Sequence, residues 1–210
     1  MSRENILHKV RTALGRSAGQ PPGEAPRVRL RVPEMDVETR IARFSEALRA
    51  LAGTFHRASS MENARAYVAA LVENKSAVAS NAPYLKECGV TTLPGVRTGV
   101  LEEPELRRLC AAADLGITSA DYALADTGTL VLFSSAEEAR MISLLPPVHV
   151  AVLPKERILT GLDELLSVVS LPGERGSSML LITGPSRTAD IEQILIRGVH
   201  GPGEIHAVVV

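Results

Sequence analysis

The 210-residue sequence has two cysteines, no tryptophan, 3% aromatic residues and a formal net charge of −1. Cys88 and Cys110 fall short of the roughly four ligands that an iron–sulfur cluster or a zinc ribbon draws from its protein. They also argue against a secreted disulfide framework. The near-zero charge argues against a dedicated nucleic-acid binder, which carries a basic excess. So few aromatic rings leave no stacking platform for single strands. The longest apolar runs, Leu130 to Phe133 and Val148 to Leu153, are strand-sized, far below the roughly 20 residues of a membrane span. Behind Met-Ser-Arg-Glu-Asn there is no apolar stretch of signal-peptide length, so the expected compartment is the cytoplasm. The sequence contains no G-x-G-x-x-G, G-x-x-x-x-G-K-[ST], C-x-x-C or H-E-x-x-H. Gly184-Pro-Ser-Arg-Thr188 is a near miss to the nucleophile elbow G-x-S-x-G.

What is present divides by charge. Residues 1–31 hold seven basic and two acidic residues, and the remainder holds 16 basic and 22 acidic. Ile6, Leu7, Val10 and Leu14 recur at helical spacing behind Ser2, a cap candidate. Pro21, Pro22, Pro26 and Pro33 then mark a linker. This divides the chain into a basic helical arm with a Pro-rich linker over 1–33, and a globular domain over 36–210. A chain of this length buries roughly 70% of its unfolded surface, so the core needs no staple.

Within the domain, helices and strands alternate. Asp36 caps a helix carrying Ile41, Phe44, Leu48 and Leu51, which stops at Gly53. Ser59 with Glu62 reads as a capping box for the next helix. Strands are expected at 54–57, 76–80, 90–93, 115–118, 129–133, 148–153, 179–183 and 206–210, with helices at 104–112, 162–169 and 189–196. Buried apolar strands between amphipathic helices predict a layered α/β/α sandwich with a parallel or mixed sheet.

Ligands of such sheets sit at the carboxyl ends of strands, beside loops that open helices. Three segments suit that setting. In Asp126-Thr-Gly-Thr129, backbone N–H groups and two hydroxyls suit an oxyanion, but they equally suit a turn closed by its own side chains. Arg140 is either a carboxylate clamp or a solvated cation. His149, inside an apolar strand, is either a base or a satisfied core residue. Gly184, Ser186, Arg187 and Thr188 follow a strand and are expected to open a helix, which would make an anion site or simply a cap. Gly198-Val-His-Gly-Pro-Gly-Glu places His200 and His206 around a sharp loop near Gly201. With no third ligand nearby in sequence, no metal site is expected.

Ala125-Asp-Thr-Gly-Thr-Leu-Val-Leu, Ser143-Leu-Leu-Pro-Pro-Val-His-Val-Ala-Val, Thr183-Gly-Pro-Ser-Arg-Thr-Ala-Asp-Ile-Glu and Gly198-Val-His-Gly-Pro-Gly-Glu occur in this order. Together they resemble the signature blocks of the LUD-domain proteins, in particular the short, cluster-free lactate utilization protein C family. The resemblance covers about residues 36–210 and is strongest after Asp114. It implies a fold similar to the sugar-phosphate isomerase and CoA-transferase superfamily. It also implies a role in a multi-protein system that oxidises L-lactate to pyruvate. The expected partners are a cysteine-rich subunit and a longer LUD-domain subunit, with the iron–sulfur clusters in those partners and no cofactor in this chain.

Oxidising a 2-hydroxy acid needs an anchor for the carboxylate, a base for the hydroxyl proton and an acceptor for two electrons. The expected anion-binding residues are Thr127, Gly128, Thr129, Arg140, Gly184, Ser186, Arg187, Thr188 and Gly201. Candidate bases are His149, His200 and Asp126. The sequence contains no recognisable electron acceptor, so the expected role is an accessory one: supporting the complex or shaping an anion pocket. Two other classes stay open. One is a CoA-transferase- or isomerase-like enzyme acting on a small anion through Asp126 or Glu204. The other is an interaction protein whose basic arm docks an acidic partner; a merely solvated tail accounts for that arm as well.

Overall fold

The computed structural model describes residues 2–20, 33–100, 102–169, 176–189 and 195–210. The chain divides into two compact units, Met1–Leu30 and Arg31–Val210. In the first, Ser2 accepts from the Asn5 N–H and starts helix α1 (Arg3–Ala13), none of whose residues is buried. Most of the linker, and most of the helix expected at 189–196, lie outside the described residues.

The second unit is built on a six-stranded, wholly parallel sheet. Its strands are β1 (Thr54–Arg57), β2 (Ala77–Ala79), β3 (Val96–Arg97), β4 (Leu115–Ser119), β7 (Val148–Leu153) and β12 (Glu204–Val209). They run in the order β1-β12-β7-β4-β2-β3. The central strands are apolar at nearly every position because both faces are covered. Val150, Val152 and Val208 pack under α3 (Met61–Val72) and α4 (Pro83–Glu87). Ala151, Leu153, Ala207 and Val209, on the alternate positions, pack against α2 (Val37–Ala50) and a second sheet.

Helix α2 forms as its sequence predicts. The Asp36 carboxylate takes the Thr39 N–H at 2.9 Å and the Thr39 hydroxyl at 2.6 Å, a cap worth about 1 kcal/mol. Ile41, Phe44 and Leu48 face the core, and burying Phe44 alone contributes about 2–3 kcal/mol. The second helix departs in one detail: its cap is Ser60, which accepts from the Asn63 N–H, rather than Ser59.

The second sheet has the order β8-β5-β6-β9, from β5 (Tyr122–Leu124), β6 (Thr129–Phe133), β8 (Ile158–Leu159) and β9 (Met179–Ile182). Its inner side chains Ala123, Leu130 and Leu132 join the α2 cluster. Its outer ones, including Tyr122, Val131 and Phe133, lie with Leu165 of α7 (Leu162–Val168). Helices α5 (Glu103–Ala112) and α6 (Met141–Leu144) close over Val78 of β2. The layered α/β sandwich is therefore present, with an added sheet that the alternation of elements did not suggest.

Two expected elements are corrected. Residues 90–93 form a single 3-10 turn, Val90–Thr92, in place of a strand. The helix expected at 189–196 gives way to strands β10 (Arg187–Ala189) and β11 (Leu195–Arg197), which pair antiparallel; residues 190–194 lie outside the described set.

Candidate functional site

At the carboxyl edge of the parallel sheet, the loops after β2, β4 and β7 diverge and leave a cleft of about 590 Å³. This is where open α/β sheets bind ligands. Ser119 and Asp121 follow β4, Tyr84 comes from α4, and Arg157 comes from the 3-10 turn Lys155–Arg157. Ser135 and Glu138 come from the turn after β6.

That turn explains how a glutamate comes to point inward. The Ser135 hydroxyl oxygen accepts the N–H groups of Glu137 and Glu138, each at 3.1 Å. The Ser135 N–H donates to the Glu138 carbonyl at 3.1 Å. The winding folds Glu138 beneath the cleft, where only 7% of the residue is exposed. Its Oε2 accepts the Ser80 hydroxyl at 2.8 Å and the Ser119 N–H at 3.2 Å. Its Oε1 is buried and has no hydrogen-bond partner. Burial raises the carboxyl pKa to about 8, with the Asp121 charge adding to the rise and the two hydrogen bonds opposing it. Glu138 is therefore mostly a neutral acid at pH 7. Since Oε2 is occupied as an acceptor, the proton belongs on Oε1.

The surrounding groups complete a polar site. Asp121 accepts the Phe133 N–H at 2.7 Å. The Arg157 guanidinium lies over the Tyr122 ring, 5.3 Å from its centroid, which restricts it near the cleft rim. Burial raises the Tyr84 hydroxyl pKa. A neutral acid, a carboxylate and a cation in one cleft is the arrangement by which a site divides acid and base roles between similar groups.

None of the residues expected from sequence lines this cleft. The structure distributes them over five places. The hydroxyls of Thr127, Thr129 and Thr183 form a chain, at 2.7 and 2.8 Å. Gly128, at φ 66°, lies against α2, where a Cβ would stand 2.5 Å from the Leu48 nitrogen. The Gly128 turn is thus a packing joint. Gly184 meets Leu51 at the same helix end, and the Arg187 guanidinium donates to the Leu51 carbonyl.

The Ser186 N–H donates to the Pro202 carbonyl at 2.8 Å, which ties it to the loop of His200 and Gly201. That loop reaches the Pro147 carbonyl through the Gly203 and Glu204 N–H groups, at the amino edge of the sheet. His200 there is exposed. Thr188 pairs with Ile196 between two antiparallel strands, so Thr188 itself lies in a strand instead of opening a helix.

Asp126 is exposed beside Gly161, in a separate cavity of about 330 Å³ with Arg43 and Thr160. Arg140 is exposed at the start of α6. His149 is fully buried, with Nε2 2.7 Å from the Thr118 hydroxyl and Nδ1 unpaired. Burial, with a lesser contribution from His206, lowers its pKa to about 3. It is a neutral histidine of the core.

The sequence reading passed over Glu138, Ser80, Ser119 and Arg157. Glu137-Glu138 looks like a solvated acidic pair. Only the serine two residues past the end of an apolar strand hints at the turn that buries one of them. Among the described residues no group of three or more His, Cys, Asp or Glu side chains is placed to hold a metal ion. Cys88 and Cys110 are buried in separate apolar clusters. Burial raises both thiols, Cys110 to about 11, so both are protonated and a poor match to the thiolates that hold clusters.

The parallel sheet, its covering helices and the polar cleft at its carboxyl edge define the class as a layered α/β protein. The chain belongs to the LUD domain family, whose model matches residues 41–210. It is 38% identical over 136 residues to lactate utilization protein C of Halalkalibacterium halodurans, covering 61% of this chain and 59% of that one. It is 32% identical over 179 residues to lactate utilization protein C of an Exiguobacterium species, covering 83% and 70%. Against the Bacillus mycoides lactate utilization protein C 1, identity is 36% over 139 residues. The chain thus spans about 59% of the length of the first relatives it matches. A solved structure of a DUF162 family protein from Deinococcus radiodurans shares the fold, with a TM-score of 0.64 at 20% identity over 84% of this chain and 99% of that one. Among the described residues no helix is long and apolar enough to cross a membrane.

Proposed function

We propose that this chain serves lactate utilization as a cluster-free cytoplasmic subunit of a multi-protein system that oxidises L-lactate to pyruvate, and that it holds a small carboxylate in the carboxyl-edge cleft. The observation that carries the reading is Glu138, a neutral acid beneath a cleft that also contains Arg157. A 2-hydroxy or 2-oxo acid needs a cation for its carboxylate and a hydrogen-bonding group for its C2 oxygen. The cleft offers both.

The names of the relatives support the lactate role. The two neutral, buried thiols support assigning the iron–sulfur chemistry to a cysteine-rich subunit and a longer LUD-domain subunit. Clusters in those partners would supply the electron acceptor. This chain's residues would bind and orient the organic acid and keep water from its C2 oxygen. The Asp121 and Glu138 pair favours a second reading, an isomerase-like enzyme that moves a proton on such an acid without redox chemistry.

Calorimetric titration with L-lactate and with pyruvate tests the cleft, and Arg157→Gln is expected to weaken whichever ligand binds by about tenfold. Purification from lactate-grown cells is expected to bring down a cysteine-rich protein and a longer LUD-domain protein, with iron–sulfur clusters. Absence of both ligand binding and partners would refute the reading. Deuterium exchange into pyruvate by the isolated chain would favour the isomerase.

A further inference from the structure

Resting on that reading of the cleft, we propose that it takes a 2-oxo acid in preference to a 2-hydroxy acid, with Glu138 Oε1 donating to the C2 oxygen and Arg157 holding the carboxylate. The argument is one of hydrogen-bond inventory. Oε2 already receives two donors, from Ser80 and Ser119. The one group that Glu138 still has to place is the proton on Oε1, which is buried and unpartnered. An orphaned buried donor costs free energy until an acceptor arrives. A ketone oxygen accepts and brings no hydrogen of its own. A hydroxyl also accepts, but it brings a hydrogen that needs an acceptor of its own, which Oε1 of the protonated Glu138 does not offer. A site built around a donor discriminates more strongly than one built around shape.

Access is consistent with this. The Ser135–Glu138 turn separates the cleft from a second cavity of about 180 Å³, lined by Asn81, Leu106 and Ile142 among others. Ser135 and Glu137 line both spaces. The turn therefore has empty volume on its far side into which it can yield as a ligand reaches Oε1. The cleft also exceeds the volume of a three-carbon acid, so the discrimination concerns the C2 oxygen and leaves chain length open.

Deprotonation of Glu138 should reverse the preference, because a carboxylate oxygen accepts from a lactate hydroxyl and repels a ketone oxygen. The charged and titratable groups that share the cleft with Glu138 are Asp121 after β4, Glu137 on its own turn, Tyr84 and Glu87 from α4, and Arg157, and of these Asp121 acts on its charge. Glu138→Gln separates its titration from theirs, since an amide N–H takes the place of the Oε1 proton at every pH.

The experiment is titration of the full chain with sodium pyruvate and with sodium L-lactate at pH 6.5, 7.5 and 9.5, by calorimetry and ligand-observed NMR. Circular dichroism confirms that each variant folds. Pyruvate is expected to bind about tenfold tighter than lactate at pH 6.5, with the ratio falling to one or below at pH 9.5. Glu138→Gln should keep the preference and lose its pH dependence, and Glu138→Leu should lose the preference. Equal binding of the two acids at pH 6.5, or a pH-dependent ratio that persists in Glu138→Gln, overturns the proposal while leaving the cleft reading intact. No binding of either acid at any pH overturns both.

Discussion

Replacing Glu138 with Gln should make the folded domain relatively more stable as pH rises, and the size of the effect follows from its burial. An ordinary glutamate titrates at 4.5, and Glu138 in the folded protein at about 8. Below 4.5 both folded and unfolded chains carry the proton, and Glu138 contributes no pH-dependent term. Between 4.5 and 8 the unfolded chain releases it while the folded chain retains it. Stability falls with rising pH across that window and levels off above it. At 1.36 kcal/mol per pH unit, the full loss is about 5 kcal/mol, a large share of the 5–15 kcal/mol typical of a domain. Glutamine keeps an acceptor for Ser80 and Ser119 and does not titrate. The stability difference between variant and wild type should therefore grow by up to about 5 kcal/mol between pH 4.5 and 8. The chain has no tryptophan, so far-UV circular dichroism in urea is the suitable assay, run at pH 5, 6.5 and 8. Titrations shared by both proteins cancel in the difference. A flat difference, or one that shrinks with pH, would show that Glu138 is ionised in the folded protein and would refute the assignment.

Gly128→Ala should destabilise by about 3 kcal/mol or more in thermal or urea unfolding, because the new methyl meets the α2 backbone at a left-handed position; a change under 1 kcal/mol would contradict the packing-joint role. His149 has the opposite linkage to Glu138. Its folded pKa is depressed from 6.5 to about 3, so the stability it contributes is present above pH 6.5 and lost as pH falls toward 3. Thr118→Val should cost about 1–3 kcal/mol at pH 7 by leaving the imidazole Nε2 without its partner, as urea melts would measure.

Most of the framework was legible because it rests on local signals. Asp36 caps α2 through its own side chain, and the Ile41, Phe44, Leu48 spacing is the face that enters the core. β7 reads as a strand from its unbroken apolar run, since a parallel strand is covered on both faces. The failures are short or non-local. Residues 189–196 offer too few positions to separate a helical period from an alternating one, and the pairing of Leu195–Arg197 with Arg187–Ala189 is a non-local contact that no local pattern announces. The Gly184 and Gly201 loops looked like ligand loops because glycine allows close approach. Here the approach is to Leu51 and Ser186 of the chain itself. Glu138 was invisible because its character comes from burial. Ser80 and Ser119 reach it from distant strands, and no local pattern distinguishes a buried carboxyl from its exposed neighbour Glu137.

The place of β12 in the sheet has a consequence for how the protein is made. Its residues 204–209 insert between β1 and β7, pairing His206 with Thr54 on one side and with Val150 on the other. As the chain leaves the ribosome, β1 and β7 are both synthesised long before the strand that joins them. Until residue 209 clears the exit tunnel, each presents an unpaired backbone edge to other nascent chains. Strands β2, β3, β4 and β7 can pair as they are made, but β1 must wait for β12, and that edge pairing of Thr54 with His206 joins opposite ends of the domain, which favours slow, late closure. Newly made protein should depend on chaperones that shield strand edges, and a message truncated before codon 204 should yield an aggregating product.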